Sequence, residues 1–316
     1  MFCTAHVVVF DRRRRIALGV ALGAVLSLCA FVALPGSAAA ADPPLKVVAT
    51  FSVLGDMVKE IGGGHVALTT LVGPGADAHN FEPAPEDVKA LADAQILVLN
   101  GLDFEAWLPR LITSAGFKGT QVLASEGVRV RHLDAGDVDP HAWQSLDNGA
   151  IYAKNIVEAL SKATPAHRAY YKNRAKLFVE QMKKLDTEIR LALDDIPPGK
   201  RKVVSSHDAF GYFSQAYDIQ FIALTGLANE AEPSAKEMAA IIDTVKKEGV
   251  TGVFVENTAN PKLASQIARE TGAKVGGTLY SDTLANADQP ASNYLGMFTW
   301  NAGQLIYVLK DSLIKD

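Results

Sequence analysis

Three histidines and one aspartate are the strongest candidates for chemistry in this chain. His79, His141 and His207 each fall in a loop or junction beside Pro, Gly or an acidic residue, and Asp282 follows a predicted strand in the same way. Three imidazoles and one carboxylate suit tetrahedral Zn²⁺. The spacing is too long for two histidines on one helix and there is no H-E-x-x-H motif, so the fold would have to assemble the site. Spacing alone therefore leaves a metal site open.

His207 has the most informative local sequence, K-V-V-S-S-H-D-A-F-G-Y-F at 202–213. The β-branched pair Val203-Val204 predicts a buried strand, and the polar residues begin where that strand would leave its sheet. Ligand-binding groups in open α/β sheets collect just past the carboxyl ends of strands. A histidine in this place is a good metal ligand or acid/base group. Taken alone, His207 fits a capping or core histidine slightly better than a functional one.

The other histidines beyond residue 41 have less suggestive surroundings. His65 follows a glycine turn, His132 lies among charged residues in a loop, and His167 is at the start of a helix. We expect these three side chains to be solvated and not to bind a ligand.

Strands alternate with helices in two stretches of the chain, which predicts parallel sheets with helices on their faces. Strands are expected at 46–51, 67–72, 96–100, 121–124, 203–206, 220–224, 250–256 and 274–280, with intervening helices that include one at 105–115 and a last helix at 293–314. The longest helix is expected at 165–194, where apolar residues recur every three or four positions. These patterns predict an α/β fold with an N-terminal lobe at 42–160, a connecting helix at 161–198 and a C-terminal lobe at 199–316. A ligand site between the lobes is a common arrangement.

Residues 1–41 have the pattern of a secretory signal peptide. Four arginines at 12–15 precede an apolar run at 16–34, and small residues at 35–41 suit cleavage by signal peptidase. The alternatives are a membrane anchor, since the run is long enough to span a bilayer, a lipoprotein signal at Cys29, which Leu28 fits poorly, and a twin-arginine signal. We expect the mature protein to begin after residue 41 and to be exported to the periplasm.

Removal of residues 1–41 would change both the charge and the cysteine content. Cys3 and Cys29 are the only cysteines of the sequence, so the mature chain would have no disulfide and no thiolate ligand. Loss of one Asp and four Arg lowers the formal net charge from −4 to −7. This balance argues against nucleic-acid binding.

Six motifs, in order along the chain, resemble the zinc and manganese receptors of ABC transporters, the family of TroA, ZnuA and PsaA. They are P-G-A-D-A-H-N-F-E-P-A-P-E-D at 74–87, N-G-L-D-F-E-A-W-L at 100–108, D-P-H-A-W at 139–143, S-H-D-A-F-G-Y-F-S-Q-A-Y at 206–217, E-P-S-A-K-E-M at 232–238 and L-Y-S-D-T-L at 279–284. The resemblance covers essentially the whole chain after the signal peptide. It implies two pseudo-symmetric lobes, a long backbone helix and one buried metal between the lobes.

The resemblance also implies the ligands and the partners. Matched motif by motif, His79, His141, His207 and Asp282 take the ligand positions. The implied partner is a membrane permease, a periplasmic metallochaperone is a further candidate, and a monomer is expected. Many zinc members carry a long His- and acid-rich insertion between the first two ligands, but residues 80–140 contain only His132. The compact form is similar to the TroA branch and to AztC-type zinc receptors.

Three functions remain open at this stage: a zinc receptor, a manganese receptor of the same fold, and a secreted metallohydrolase. Four protein ligands would leave no position for an activated water, which favours a carrier over an enzyme. A nitrogen in the third ligand position, where manganese sites of the family often have a glutamate, favours Zn²⁺ over Mn²⁺.

The carboxylates near the candidate ligands are assigned more weakly. Asp77, Asp139 and Asp208 neighbour the three histidines and are candidates to orient the imidazoles, although the interpretation as ordinary surface carboxylates is favoured. Glu256, at the end of a predicted strand, is a less favoured fourth ligand than Asp282.

Overall fold

A computed structural model describes residues 43–133, 136–226 and 234–314. The predicted signal peptide at 1–41 lies outside the described residues, as do the first two residues of the motif at 232–238. Among the described residues, no helix combines the length and the apolar composition needed to cross a bilayer.

The N-terminal lobe is built on a parallel sheet with the strand order β2-β1-β3-β4. Its strands are β1 (Leu45–Phe51), β2 (Val66–Val72), β3 (Ile96–Leu99) and β4 (Thr120–Leu123), and its helices are α1 (Ser52–Gly62), α2 (Pro85–Ala92), α3 (Leu108–Ala115) and α4 (Leu146–Ala163). The central strands β1 and β3 are apolar on both faces and almost fully buried, as expected for a parallel sheet covered by helices.

The C-terminal lobe repeats this arrangement, with the strand order β6-β5-β7-β8. Its elements are β5 (Lys202–Ser205), α6 (Gly211–Tyr217), β6 (Gln220–Ala223), α7 (Ala235–Glu248), β7 (Gly252–Val253), α8 (Pro261–Thr271), β8 (Lys274–Val275) and α9 (Tyr294–Ile314). The predicted α/β fold of two parallel-sheet lobes is confirmed. The lobe boundaries at 42–160, 161–198 and 199–316 stay predictions.

The long helix α5 (Arg168–Leu193) runs between the two sheets in sequence and packs on α1, α4 and α9. Its buried side includes the predicted apolar stripe of Phe178, Met182, Ile189 and Leu193, with Leu185 partly buried. The predicted first turn at Pro165–His167 is a 3₁₀ turn that leads into the α-helix. Because one helix face contacts elements of both lobes, α5 limits how far the lobes can separate.

Three element boundaries differ from the sequence prediction. Helix α3 begins at Leu108 and not at 105, because the buried Glu105 carboxylate turns back to accept hydrogen bonds from the amides of Asn100 and Gly101. Strands β7 and β8 are far shorter than 250–256 and 274–280. Gly276 interrupts β8: it packs so closely on the Phe254 ring that a Cβ there would lie 2.1 Å from the ring. Beyond it, one parallel bridge from Glu256 to Leu279 resumes the pairing.

The common strand order explains where polar groups can collect. In the first sheet β1 lies between β2 and β3, and in the second sheet β5 lies between β6 and β7. The strand order therefore reverses next to β1 and next to β5. Ligand sites in open α/β sheets form at the carboxyl ends of strands at such a switch point. In each lobe, polar loop residues can therefore collect at this edge of the sheet.

Candidate metal centre

The structure brings His79, His141, His207 and Asp282 into one cluster. One potential ligand atom from each side chain lies within 4.8 Å of all the others. His79 lies in the loop after β2, His141 lies between β4 and α4, His207 follows β5, and Asp282 follows β8. His65, His132 and His167 are not members of this cluster; His65 and His167 stack on each other with 3.8 Å between ring centroids.

Four distances within the cluster can be compared with those between the ligands of a tetrahedral ion. The Nε2 atoms of His79 and His141 are 3.3 Å apart, and the Asp282 oxygens lie 3.6, 3.5 and 3.1 Å from Nε2 of His79, His141 and His207. Ligands held about 2.0–2.1 Å from a tetrahedral centre are about 3.3–3.4 Å from each other. These four distances, which involve both oxygens of Asp282, are close to those between the ligands of a zinc site.

The cluster is almost completely removed from solvent. The His141 and His207 side chains are 0% exposed and that of Asp282 is 3% exposed, whereas 13% of the His79 side chain reaches solvent. Asp282 Oδ1 is buried and has no hydrogen-bond partner among the described residues. Buried polar atoms normally have a partner, and a cation between the four side chains would supply one. His79 marks the side from which an ion could enter.

His141 is held from behind by Asp139. The Nδ1 atom of His141 is 2.8 Å from Asp139 Oδ1, and the His141 amide donates to the same oxygen at 3.0 Å. Burial alone would raise the pKa of Asp139, but the hydrogen bonds and charge of His141 and Arg131 outweigh it and lower that pKa. An ionised carboxylate only accepts, so Nδ1 carries the proton and the lone pair of Nε2 faces the cluster.

Arg131 completes the support of His141 and extends it to the other lobe. Its Nη1 donates to Asp139 Oδ2 at 2.6 Å. The same guanidinium lies against Gly211 at the start of α6, where a Cβ would be 2.1 Å from Nη1. The Arg131 amide donates to the Tyr212 hydroxyl at 2.8 Å. No motif in the sequence singled out Arg131.

Glu256 plays the corresponding part for His207. Glu256 Oε2 lies 2.6 Å from His207 Nδ1, and Oε1 accepts the His207 amide at 2.9 Å. Both side chains are fully buried. Burial would lower the pKa of His207, but the charges of Glu256 and Asp282 outweigh it and raise that pKa well above its ordinary value. The sequence drew attention to Glu256 as a rival ligand; in the structure it contacts a candidate ligand from outside the cluster.

His79 is positioned by its loop and by aromatic packing. The Asp77 carboxylate accepts the His79 amide at 2.9 Å and so shapes the turn of the backbone, not the imidazole. The Trp107 indole donates to Ala78 O at 2.9 Å, and the Phe104 ring packs edge-on against His79 with 4.6 Å between centroids. Burial lowers the pKa of His79, which keeps its imidazole neutral and able to bind a cation.

The three aspartates suggested by sequence therefore differ in role. Only Asp139 contacts an imidazole. Asp77 supports a turn, and the amide of Asp208 donates to Gly226 O while no contact of its carboxylate with His207 is present among the described residues. Neighbouring residues in sequence often point apart, and Glu256 reaches His207 from another strand.

Two βα lobes around a buried cluster of three imidazoles and one carboxylate define a two-lobed metal-binding protein. The chain belongs to the ZnuA family, described as "Zinc-uptake complex component A periplasmic", whose model matches residues 47–307. It is thus the metal-binding receptor of an ABC transporter and not an enzyme, and the hydrolase alternative is wrong.

Similar proteins have been named for different metals. The chain is 31% identical over 275 residues to the manganese ABC transporter substrate-binding lipoprotein PsaA of Streptococcus pneumoniae, covering 84% of this chain and 89% of that one. It is 32% identical over 296 residues to the iron ABC transporter substrate-binding lipoprotein MtsA of Streptococcus pyogenes serotype M1, covering 90% and 96%. The structure of the periplasmic zinc binding protein TroA from Treponema pallidum superposes with a TM-score of 0.79 at 29% identity, covering 84% and 99%.

We expect Glu256→Gln to weaken metal binding by roughly 10–100-fold, the usual cost of losing a group that orients a ligand histidine. Glutamine keeps the size of the side chain and one oxygen for the His207 amide, but its charge is gone. Competition titration with a chelating dye would measure the change.

Asp208→Asn is the matched control for this substitution. Asp208 is the residue next to His207, yet its carboxylate does not hold the imidazole, so the affinity should change by less than about threefold. If Asp208→Asn weakened binding as much as Glu256→Gln did, loss of negative charge near the site would explain both, and the specific role of Glu256 would be wrong.

Proposed function

We propose that this chain is the zinc receptor of an ABC importer, exported to the periplasm by its N-terminal segment, and that it delivers Zn²⁺ to a membrane permease. His79, His141, His207 and Asp282 would be the ligands. The observation that carries the proposal is the convergence of three imidazole nitrogens and one carboxylate at tetrahedral spacing in a buried place.

The donor set is the argument for zinc over manganese. Mn²⁺ prefers oxygen ligands and a higher coordination number, whereas three nitrogens and one oxygen at these spacings suit Zn²⁺. The manganese alternative is supported by the name of the PsaA relative and the iron alternative by the name of MtsA, since each shares about a third of its residues with this chain. The TroA name supports zinc at similar identity.

The mechanism follows from the burial and the charges of the cluster. Asp282 supplies the one full negative charge facing the ion, and burial, which would raise its pKa, is outweighed by His207, His141 and His79, which lower it. The carboxylate therefore stays ionised. Asp139 and Glu256 fix the orientation of two imidazoles. These side chains therefore lose little conformational entropy when the ion binds. With four protein ligands the ion is enclosed and carried, and none of its positions is left for chemistry.

Metal analysis of the purified full chain, followed by competition titration, tests the proposal. We expect one zinc per chain and an affinity for Zn²⁺ at least about 100-fold above that for Mn²⁺, in line with the Irving–Williams order. His132→Ala is a suitable control, because this histidine is outside the cluster and should leave stoichiometry and affinity unchanged. Tighter binding of Mn²⁺ or Fe²⁺ would overturn the zinc assignment, and no bound metal at all would overturn the site.

A further inference from the structure

Asp282 lies in the second half of the sequence, but the preceding residue, Ser281, is hydrogen-bonded to the N-terminal lobe. Ser281 O accepts hydrogen bonds from the Trp143 indole at 2.8 Å and from the Gln144 side-chain amide at 2.6 Å. Trp143 and Gln144 belong to the turn directly after His141 and are both fully buried. The backbone that carries Asp282 is thus tied to the backbone that carries His141.

The residues after Asp282 are fastened in the same direction. The Leu284 amide donates to Ser52 Oγ at 2.9 Å, and the Gly75 amide lies 2.8 Å from Thr283 Oγ1 and 3.2 Å from Leu284 O. Ser52 starts helix α1, and Gly75 belongs to the loop that carries His79. Asp282 is consequently held on both sides by the lobe that supplies the first two histidines.

The start of α9 continues this attachment. The Tyr294 amide donates to Asp56 Oδ2 at 2.8 Å, and the Tyr294 hydroxyl donates to Trp143 O at 2.6 Å. Upstream of Asp282 the attachment is different, since Leu279 pairs with Glu256 in the C-terminal lobe. The chain therefore changes from one lobe to the other just before Asp282, between residues 279 and 281.

His207 is held from the opposite lobe. Its amide donates to Glu256, its carbonyl accepts from Ser205 Oγ at 3.1 Å, and the next amide along the chain donates to Gly226 O at 2.9 Å. All of these partners belong to the C-terminal lobe. Helix α6, which follows His207, packs on the turn at Ala142–Gln144 and receives a hydrogen bond from Arg131 through Tyr212. This contact holds the lobes together but does not fix the His207 imidazole.

We infer that the four candidate ligands divide three to one: His79, His141 and Asp282 form one unit on the N-terminal lobe, and His207 alone moves with the C-terminal lobe. A small shift between the lobes then withdraws His207 and leaves the ion on three ligands, open on the side of the departing imidazole. The bond between His207 and the ion is thus the first to break when the ion is released and the last to form when it is captured. The inference rests on the proposed function, because it assigns an order to the ligands of that site.

Hydrogen exchange of the full chain, followed by mass spectrometry with and without zinc, tests this division. Amides report local opening, so a segment that separates from its partners exchanges faster. The Arg131 amide donates to Tyr212 of the opposite lobe, so we expect removal of zinc to accelerate exchange at Arg131 by at least about tenfold, while residues 207–209, 282–284 and Gly75, whose partners move with them, change by less than about threefold. An equal or larger acceleration at 282–284 would overturn the division, as would no change at Arg131.

Two buried serines provide a matched pair of variants. Ser52→Ala removes the acceptor of the Leu284 amide, and one lost hydrogen bond corresponds to up to about tenfold faster exchange at 282–284 in the zinc-free protein. Ser206→Ala removes an acceptor of similar burial whose partner is the Glu256 amide, and it should leave 282–284 unchanged. If Ser206→Ala accelerated 282–284 as much as Ser52→Ala did, the anchoring by the N-terminal lobe would be wrong.

A direct zinc titration separates this inference from the proposed function. A chain that binds no zinc shows no exchange difference anywhere, and both ideas then fail. A chain that binds zinc but shows uniform changes in exchange keeps the proposed function and loses only the three-to-one division.

Discussion

Zinc affinity should fall as the pH drops from 8 to 5.5, by about tenfold for each pH unit below the raised pKa of His207. Glu256 and Asp282 overcome the effect of burial and raise the pKa of His207 well above its ordinary value, so the metal-free site takes up a proton there at a higher pH than a free imidazole does. Zinc must displace that proton. Binding is therefore stronger at high pH and weaker at low pH.

Asp282 and His79 also determine how zinc affinity depends on pH. The pKa of Asp282 is lowered by the three histidines against the effect of burial, so its carboxylate stays ionised and adds no pH dependence. Burial lowers the pKa of His79, which therefore competes with zinc only at the acidic end of the range. A plot of the logarithm of the affinity against pH should have a slope near one below the raised pKa of His207, and a steeper slope at the acidic end, where His79 also takes up a proton.

Competition titration at a series of pH values measures this curve, and Glu256→Gln is the informative variant. Removing the Glu256 charge lowers the pKa of His207, so the pH dependence should begin at a lower pH than in the unchanged chain. An affinity that is constant from pH 5.5 to 8 would contradict the participation of His207 in binding.

The fold could be predicted from local patterns because the strands and helices obey them. The apolar runs of β1 and β3, and the alternation of strands with helices, required two parallel sheets. The misplaced boundaries arise from tertiary contacts that no local pattern contains. Glu105 accepts hydrogen bonds from backbone amides where helix propensity alone would have begun α3, and β8 ends before Gly276, where the Phe254 ring leaves no room for a side chain.

The candidate site was less accessible to sequence reasoning than the fold. His79, His141, His207 and Asp282 stood out because each lies where a strand or loop ends, and the family resemblance brought them together as one set. Their supports could not be found in this way, since Glu256 reaches His207 from a different strand and Arg131 lies in a loop without regular structure. The attachment of Asp282 to the N-terminal lobe is likewise invisible in sequence, because its partners are about 140 to 230 residues away.

Asp282→Asn should weaken zinc binding by roughly 100- to 1000-fold. Four-ligand zinc sites contribute about 10–16 kcal/mol in all, so an even share is about 2.5–4 kcal/mol for each ligand, and about 1.4 kcal/mol corresponds to a factor of ten. Asparagine keeps the shape of the side chain and leaves the Ser281 and Leu284 anchors in place, so the loss would come from the ligand and its charge. Asp288→Asn, an exposed position in the same segment, should leave the affinity unchanged.

The comparison of Asp282→Asn with Glu256→Gln decides which carboxylate binds the ion. Both side chains lie close to His207, Asp282 at 3.1 Å from Nε2 and Glu256 at 2.6 Å from Nδ1. Only Nε2 faces the other two imidazoles, so Asp282 should be the costlier loss by at least about tenfold. If the order were reversed, Glu256 would be the fourth ligand, and the ion would sit on the far side of His207 with fewer nitrogens around it. That donor set would suit zinc less well, so the order of these two losses also bears on the choice of metal.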